Sequence, residues 1–266
     1  MATAKLELKN VSVEYYIVRT RAQLLAVDNV SLEVYPAEFI SILGPSGCGK
    51  TTLLNAIDGL IPISQGQVLL NDHEVCQPGP DRAMVFQSAA LLPWRTVMGN
   101  VIYGLELQGK DRKEAQERAQ EFINLVGLTG FEDHFPRELS GGMQQRANLA
   151  RALTTDPEIL LMDEPLAALD AQTREFMQYE LQRIWWETRK TAIYVTHQIN
   201  EAVYLSDRVV VLTCRPGRIK EVVKIDLPRP RPLRMKRQPR FVEYEDHIWT
   251  LIEEEATKAG MVIREE

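Results

Sequence analysis

Cysteine is scarce: Cys48, Cys76 and Cys214 lie far apart in a chain of 266 residues. They form no CxxC pair, so neither a zinc cluster nor a disulfide framework is indicated, and a reducing compartment is expected. Long hydrophobic runs are missing too, since no stretch approaches the ~18 uninterrupted apolar residues of a membrane-spanning helix. The first ten residues alternate Lys and Glu with Leu and hold no apolar segment of signal-peptide length, so export is not expected. There is no excess of basic residues. The net charge is −6, whereas a dedicated nucleic-acid binder usually carries a basic field to neutralise phosphates. What remains is an ordinary globular composition, 45% hydrophobic and 26% charged, at a length able to bury a substantial core. Work at a membrane, if any, is expected from the water side.

The chain shows no internal repeat but a clear alternation. Short β-type runs precede helical patterns at 39–43 then 50–58, 159–162 then 172–188, and 192–196 then 199–205. This order predicts an α/β fold with a mostly parallel sheet flanked by helices. Segments 6–16 and 26–34 are rich in Val, Tyr and Leu with no helix between them, which predicts an added antiparallel β part. Between about 88 and 157 the texture is helical only, as expected of an inserted helical subdomain; within it, 113–126 sets charge on one face against Phe122, Leu125 and Val126. A main domain over 1–227 is therefore expected. It is followed by 228–266, a Pro/Arg strap whose prolines favour extended backbone, then an amphipathic helix. The strap reads as a solvated surface wrap. In the helix Tyr244, Ile248, Leu251 and Ile252 recur at helical spacing, with Gly260 as a stop.

The segment Gly44-Pro45-Ser46-Gly47-Cys48-Gly49-Lys50-Thr51, followed by Thr52, fits GxxxxGK[ST] between a predicted strand and a predicted helix. Its glycines let backbone N–H groups turn inward around phosphate oxygens, and the helix adds its positive end at the same point. Lys50 would reach the β- and γ-phosphates of a nucleotide, and Thr51 would give its hydroxyl to Mg²⁺. A chance match in a chain of this length is about one in a hundred, and the strand and helix context lowers it further. The second signal is 159–162, a wholly apolar run ending in Asp163-Glu164. A buried parallel strand delivers carboxylates to the top of a sheet in this way. Asp163 would hold Mg²⁺ through water, and Glu164 is placed to act as general base on the attacking water.

The third signal is Leu139-Ser140-Gly141-Gly142-Met143-Gln144-Gln145-Arg146. Ser140 is a good N-cap, and the bare Gly141 and Gly142 let an anion approach the helix N-terminus, making a second anion site. With these motifs in this order, the sequence resembles the ATP-binding subunits of ABC transporters over about residues 6–227, with Met143 where Gln is commoner. The resemblance implies a P-loop NTPase fold. It also implies further site residues: Gln87 as the Q-loop glutamine contacting Mg²⁺ or the attacking water, Asp170 as the D-loop aspartate, and His197 as the switch histidine on the γ-phosphate. Tyr15 corresponds to the aromatic residue that stacks on adenine, with Tyr16 the neighbouring alternative.

Two copies are then expected to pack head to tail, each ATP lying between the phosphate loop of one and Ser140, Gly141 and Gly142 of the other. Partners implied are a second nucleotide-binding subunit, transmembrane permease subunits and, indirectly, an external solute-binding protein, with no nucleic acid. The expected location is the cytoplasmic face of the inner membrane. The apolar run 89–94 is either a seat for a helix of a membrane subunit or helical-insert core. Pro78-Gly79-Pro80-Asp81-Arg82, Leu91-Leu92-Pro93-Trp94 and the strap resemble the importers of nitrate, taurine and sulfonates. A small-molecule kinase with a P-loop is a remote rival, with no use for the segment 139–146; a non-transport ABC ATPase acting on DNA or ribosomes is the main one. It predicts coiled-coil insertions, two cassettes or a strongly basic face.

Overall fold

The run Phe39–Leu43 is buried along its whole length, the pattern of a strand covered on both faces. Its one polar residue, Ser41, is hydrogen-bonded to the Ser206 hydroxyl. A computed structural model describes residues 3–17 and 21–258. In chain order the elements are β1 (Leu6–Ile17), β2 (Ala22–Val34), β3 (Phe39–Leu43), α1 (Lys50–Asp58), β4 (Gln65–Leu70), β5 (His73–Glu74), β6 (Arg82–Val85), α2 (Val97–Val101), α3 (Tyr103–Leu107) and α4 (Arg112–Leu125). There follow α5 (Gly141–Thr154), β7 (Ile159–Asp163), α6 (Ala171–Thr188), β8 (Thr191–Val195), α7 (Ile199–Leu205), β9 (Arg208–Leu212), β10 (Ile219–Lys224) and α8 (Pro239–Lys258). They form two compact units, one of residues 1–79 and 191–266, the other of 80–190.

In the first unit β3 lies between β8 and β9, parallel to both, and β10 closes the edge antiparallel to β9. A separate antiparallel sheet has the order β2-β1-β4-β5. In β1 the buried positions jump from Leu6 and Leu8 to Val11 and Val13. A strict period of two would send the later pair to the other face. The register shift between Leu8 and Val11, with Asn10 at φ 49°, is the bulge that keeps both pairs inward. In the second unit β6 and β7 run parallel, and α5 packs on α2, α3, α4, α6 and β6. This unit is wider than the helical stretch 88–157, because β6, β7 and α6 stay with the helices. Asp111 caps α4 through the N–H groups of Lys113 and Glu114. The buried face of α4 is Ala115, Ala119 and Ile123. Of the residues expected there, Phe122 and Leu125 are only half-buried, while Val126 is buried.

Most of the strap 228–240 is exposed, as a surface wrap should be, but two of its arginines are not solvated cations. Arg231 is 1% exposed, and its Nη1 donates to the carbonyl oxygens of Val203, Tyr204 and Ser206 at 2.9, 3.0 and 2.8 Å. Arg229 donates to Asp207 at 2.9 Å and to the Leu205 carbonyl. The physical reason is that the last carbonyls of α7 have no partner within the helix and carry its negative end, which a guanidinium satisfies. Burial pushes the Arg231 guanidinium down to about 9, so it stays charged at neutral pH. Arg231→Ala is expected to lower the free energy of unfolding by about 2–4 kcal/mol, as several carbonyls lose a charged donor and a cavity opens. Urea denaturation of the two proteins measures this, and an unchanged midpoint would refute the anchor. Helix α8 buries Phe241, Ile248, Leu251 and Glu255 and packs on α7. Tyr244 and Ile252 are half-buried, and Gly260 lies outside the described residues.

Candidate nucleotide site

In the first unit the chain leaves β3 at Leu43, turns through residues 44–49 and enters α1 at Lys50. The turn depends on glycine. Gly49 has φ 105°, and a Cβ there would stand 2.7 Å from the Ala26 carbonyl oxygen, so a side chain is excluded by both strain and space. Within the loop Cys48 is buried, and that burial pushes its thiol pKa up. Lys50 is 7% exposed, and its ammonium is held by the carbonyl oxygens of Gly44 and Pro45 at 2.8 and 3.1 Å. Neutral carbonyls are weaker acceptors than a polyphosphate, so Lys50 stands ready to exchange them for one. The N-cap of α1 is Gly49, which has no side chain to cap the helix. Pro45, Ser46 and Gly47 complete the loop, and Thr51 is exposed at the start of α1. Tyr15 donates to the Thr52 hydroxyl at 3.3 Å. Tyr16, next along the strand, points to the other face of the sheet. Tyr15 is thus the aromatic residue on the side of the loop.

The register Ile42↔Val195 puts the carboxyl ends of β3 and β8 side by side. His197, two residues past Val195, is exposed and leaves the same edge as Gly44. Its neighbours are pinned from below. Thr196 donates to buried Glu201 at 2.7 Å and accepts from the Gln198 N–H at 3.0 Å, while Tyr194 donates to the same carboxylate at 2.9 Å. Glu201 went unnoticed in the sequence, because only the fold reveals that it is buried.

In the second unit the pair Val85↔Met162 does for β6 and β7 what the first register does for β3 and β8. Gln87, Asp163 and Glu164 therefore leave one sheet edge together. Glu164 has φ 44°, a left-handed conformation that costs a non-glycine residue of order 1 kcal/mol. Gln87 is exposed, and its carbonyl accepts from the buried Gln145 side chain at 2.8 Å. Arg151 donates to the carbonyls of Ala90 and Ala89 at 2.8 and 3.3 Å. The helix that carries the SGG segment thus holds the loop after β6 at several points. Gln145 was missed because burial alone distinguishes it from Gln144.

Ser140 caps α5, accepting from the Met143 N–H at 3.3 Å. A Cβ on Gly142 would lie 2.9 Å from the Thr173 methyl carbon, and one on Gly141 would lie 3.5 Å from Leu169. The SGG segment is therefore seated against the start of α6, which Asp170 caps through the N–H groups of Gln172 and Thr173. Hydrogen bonds from Thr173 hold the Asp170 carboxyl below the usual range. In each unit the candidate residues leave the carboxyl edge of parallel strands. Among the described residues no cluster of three His, Cys, Asp or Glu side chains could hold a metal ion by itself.

An α/β fold with a glycine-lined phosphate loop, a strand-end carboxylate pair and an exposed SGG helix start defines a P-loop ATPase. The family model described as ABC transporter matches residues 27–167. An uncharacterised ABC transporter ATP-binding protein of Methanocaldococcus jannaschii is 57% identical over 234 residues, covering 88% of this chain and 86% of its own. A taurine import ATP-binding protein of Rhizobium johnstonii is 45% identical over 245 residues, covering 90% and 93%. The dimeric structure of an ATP-binding cassette in a post-hydrolysis state with ADP and Pi superposes with a TM-score of 0.72 at 33% identity. It covers 84% of this chain and 100% of that one. The chain belongs to the ABC transporter family, as an ATP-hydrolysing subunit coupled to transport.

Proposed function

We propose that this chain energises a membrane importer of a small anion such as nitrate, taurine or a sulfonate, and that ATP closes two copies head to tail. The observation that carries the dimer is the exposed Ser140 at the start of α5, an anion-binding helix end beside the Asp170 cap. It gives one chain two phosphate-binding helix ends, and head-to-tail pairing sets the loop of one protomer against the SGG segment of the other. Lys50 and the N–H groups of residues 44–52 hold the phosphates, and Tyr15 stacks on the adenine. Thr51, Gln87 and Asp163 hold Mg²⁺, which when bound offsets phosphate charge. Glu164 takes the proton of the attacking water, Gln87 and His197 orient water and γ-phosphate, and Asp170 lies at the dimer seam.

Losing the γ-phosphate removes the charge that holds the protomers together, so the dimer reopens and the permease subunits change conformation. No helix among the described residues is long and apolar enough to cross a membrane. The proposed station is the cytoplasmic face of the inner membrane, peripheral, with the solute-binding protein acting from outside. Trp94, 71% exposed in the apolar run 89–94, supports a seat for a membrane subunit. The taurine import protein and a nitrate import ATP-binding protein of Synechocystis, 42% identical over 248 residues, support the solute class. The test is to purify the full complex from the native membrane. ATP hydrolysis is expected to rise severalfold when the co-purified binding protein is loaded with nitrate or taurine. Recovery with ribosomes or DNA and without membrane subunits would refute the importer reading.

A further inference from the structure

The turn 213–218, which follows β9, grips the phosphate loop from outside. A Cβ on Gly44 would stand 3.1 Å from the Leu212 carbonyl oxygen, and one on Gly217 would stand 2.2 Å from that of Cys48. Between these contacts Arg215 donates to the Gly47 carbonyl from both Nε, at 3.1 Å, and Nη2, at 3.0 Å. Gly47 is one of the two loop glycines with positive φ. The Cys48 N–H donates to the Pro45 carbonyl at 3.2 Å, and Gly47 has φ 75°. Ser46 and Gly47 are thus the central pair of a turn with the positive φ of type II. Because the peptide is planar and trans, a Gly47 carbonyl held outward by the guanidinium keeps the Cys48 N–H on the opposite side, where it closes that turn.

The gripping turn is anchored in its own right. Gly217 exchanges backbone hydrogen bonds with the β2 strand, donating to Ala26 at 2.9 Å and accepting from Asp28 at 3.0 Å. The Cys214 N–H donates at 3.1 Å to Glu255, a carboxylate 1% exposed in α8. Lys220 and Lys258 hold the same carboxylate at 3.0 and 2.6 Å. Burial by itself would raise the Glu255 carboxyl, but these donors outweigh it and hold it at about 2. Hydrogen bonds and one peptide step therefore connect the C-terminal helix to Gly47.

We propose that Arg215 is a positioning residue that fixes the Gly47–Cys48 peptide for polyphosphate binding, and that Glu255 of α8 anchors it, so the C-terminal helix sets the loop's affinity for ATP. This rests on the reading of residues 44–51 as the ATP site. The test is competition of MgATP and of AMP against a fluorescent ATP analogue on the full chain, in the parent, Arg215→Met, Arg215→Lys, Glu255→Gln and the Arg215→Met/Glu255→Gln double variant. Arg215 is exposed, so its variants fold.

Arg215→Met is expected to weaken MgATP about tenfold, the loss of about 1.4 kcal/mol that a charged hydrogen bond supplies. AMP, which lacks the β- and γ-phosphates, is expected to weaken less than about twofold. Arg215→Lys is expected to recover part of the loss. Glu255→Gln is expected to weaken MgATP about threefold, and the double variant no more than Arg215→Met alone, because both act on one path. Unchanged MgATP affinity in Arg215→Met, an equal loss for AMP, or multiplying losses in the double variant would overturn the proposal. A parent that binds no MgATP would overturn the nucleotide reading itself.

Discussion

Glu164→Gln is expected to bind ATP as the parent does and to hydrolyse it about 10²–10⁴-fold more slowly, the usual worth of a positioned general base. Glutamine has the same length and shape but cannot take a proton from water. The substitution also keeps the local strain, since either side chain must accept φ 44° at this position. Stability should therefore change little, and the effect should fall on the chemical step. A single-turnover measurement of phosphate release, beside an equilibrium titration with ATP, separates the two. Release at the parent rate would remove Glu164 from its role. A loss of binding equal to the loss of rate would make the residue a ligand rather than a base.

The second large effect comes from mixing two dead proteins. Lys50→Ala removes the ammonium held at the mouth of the loop by Gly44 and Pro45. Loss of such a charge on a transferring phosphoryl group costs about 10²–10³-fold. Ser140 stands in the other half of the proposed composite site, and a bulky Ser140→Arg would block the α5 start without touching the loop. In a head-to-tail dimer of one Lys50→Ala and one Ser140→Arg protomer, both lesions fall in the same site and the other site is intact. Random mixing is then expected to restore about a quarter of parental activity, half the dimers each carrying one sound site. Zero recovery in mixed dimers shown to form would refute the shared site.

Much of the fold was legible because its signals are local. The buried strand Phe39–Leu43, the alternation of strands with helices, and the glycine spacing of 44–51 each follow from rules that act over a few residues. The antiparallel part was legible in outline, but its bulge at Asn10 was not, because a register shift is decided by the partner strand. The edge strand Ile219–Lys224, with its alternating charge, carries too weak an apolar pattern to be read at all.

What stayed hidden is long-range and polar. Arg231 looks like a solvated cation in a proline-rich strap until α7 supplies the carbonyls that bury it. Glu201 and Gln145 look like surface residues until the loops they hold lie over them. Glu255 reads as one more acid in a charged helix, yet it meets Cys214, 41 positions earlier in the chain. For Arg231, Gln145 and Glu255 the partners include backbone groups, and for Glu201 they are the hydroxyls of Tyr194 and Thr196, none of which sequence pattern can place.

The central claim is that ATP cleavage and closure of two protomers are one event, and the molecular mass of Glu164→Gln in solution tests it most directly. With MgATP the protein is expected to sediment as a dimer, and with ADP or without nucleotide as a monomer. A Glu164→Gln protein that stays monomeric in saturating MgATP, while the parent monomer hydrolyses at a rate independent of its concentration, would contradict the account.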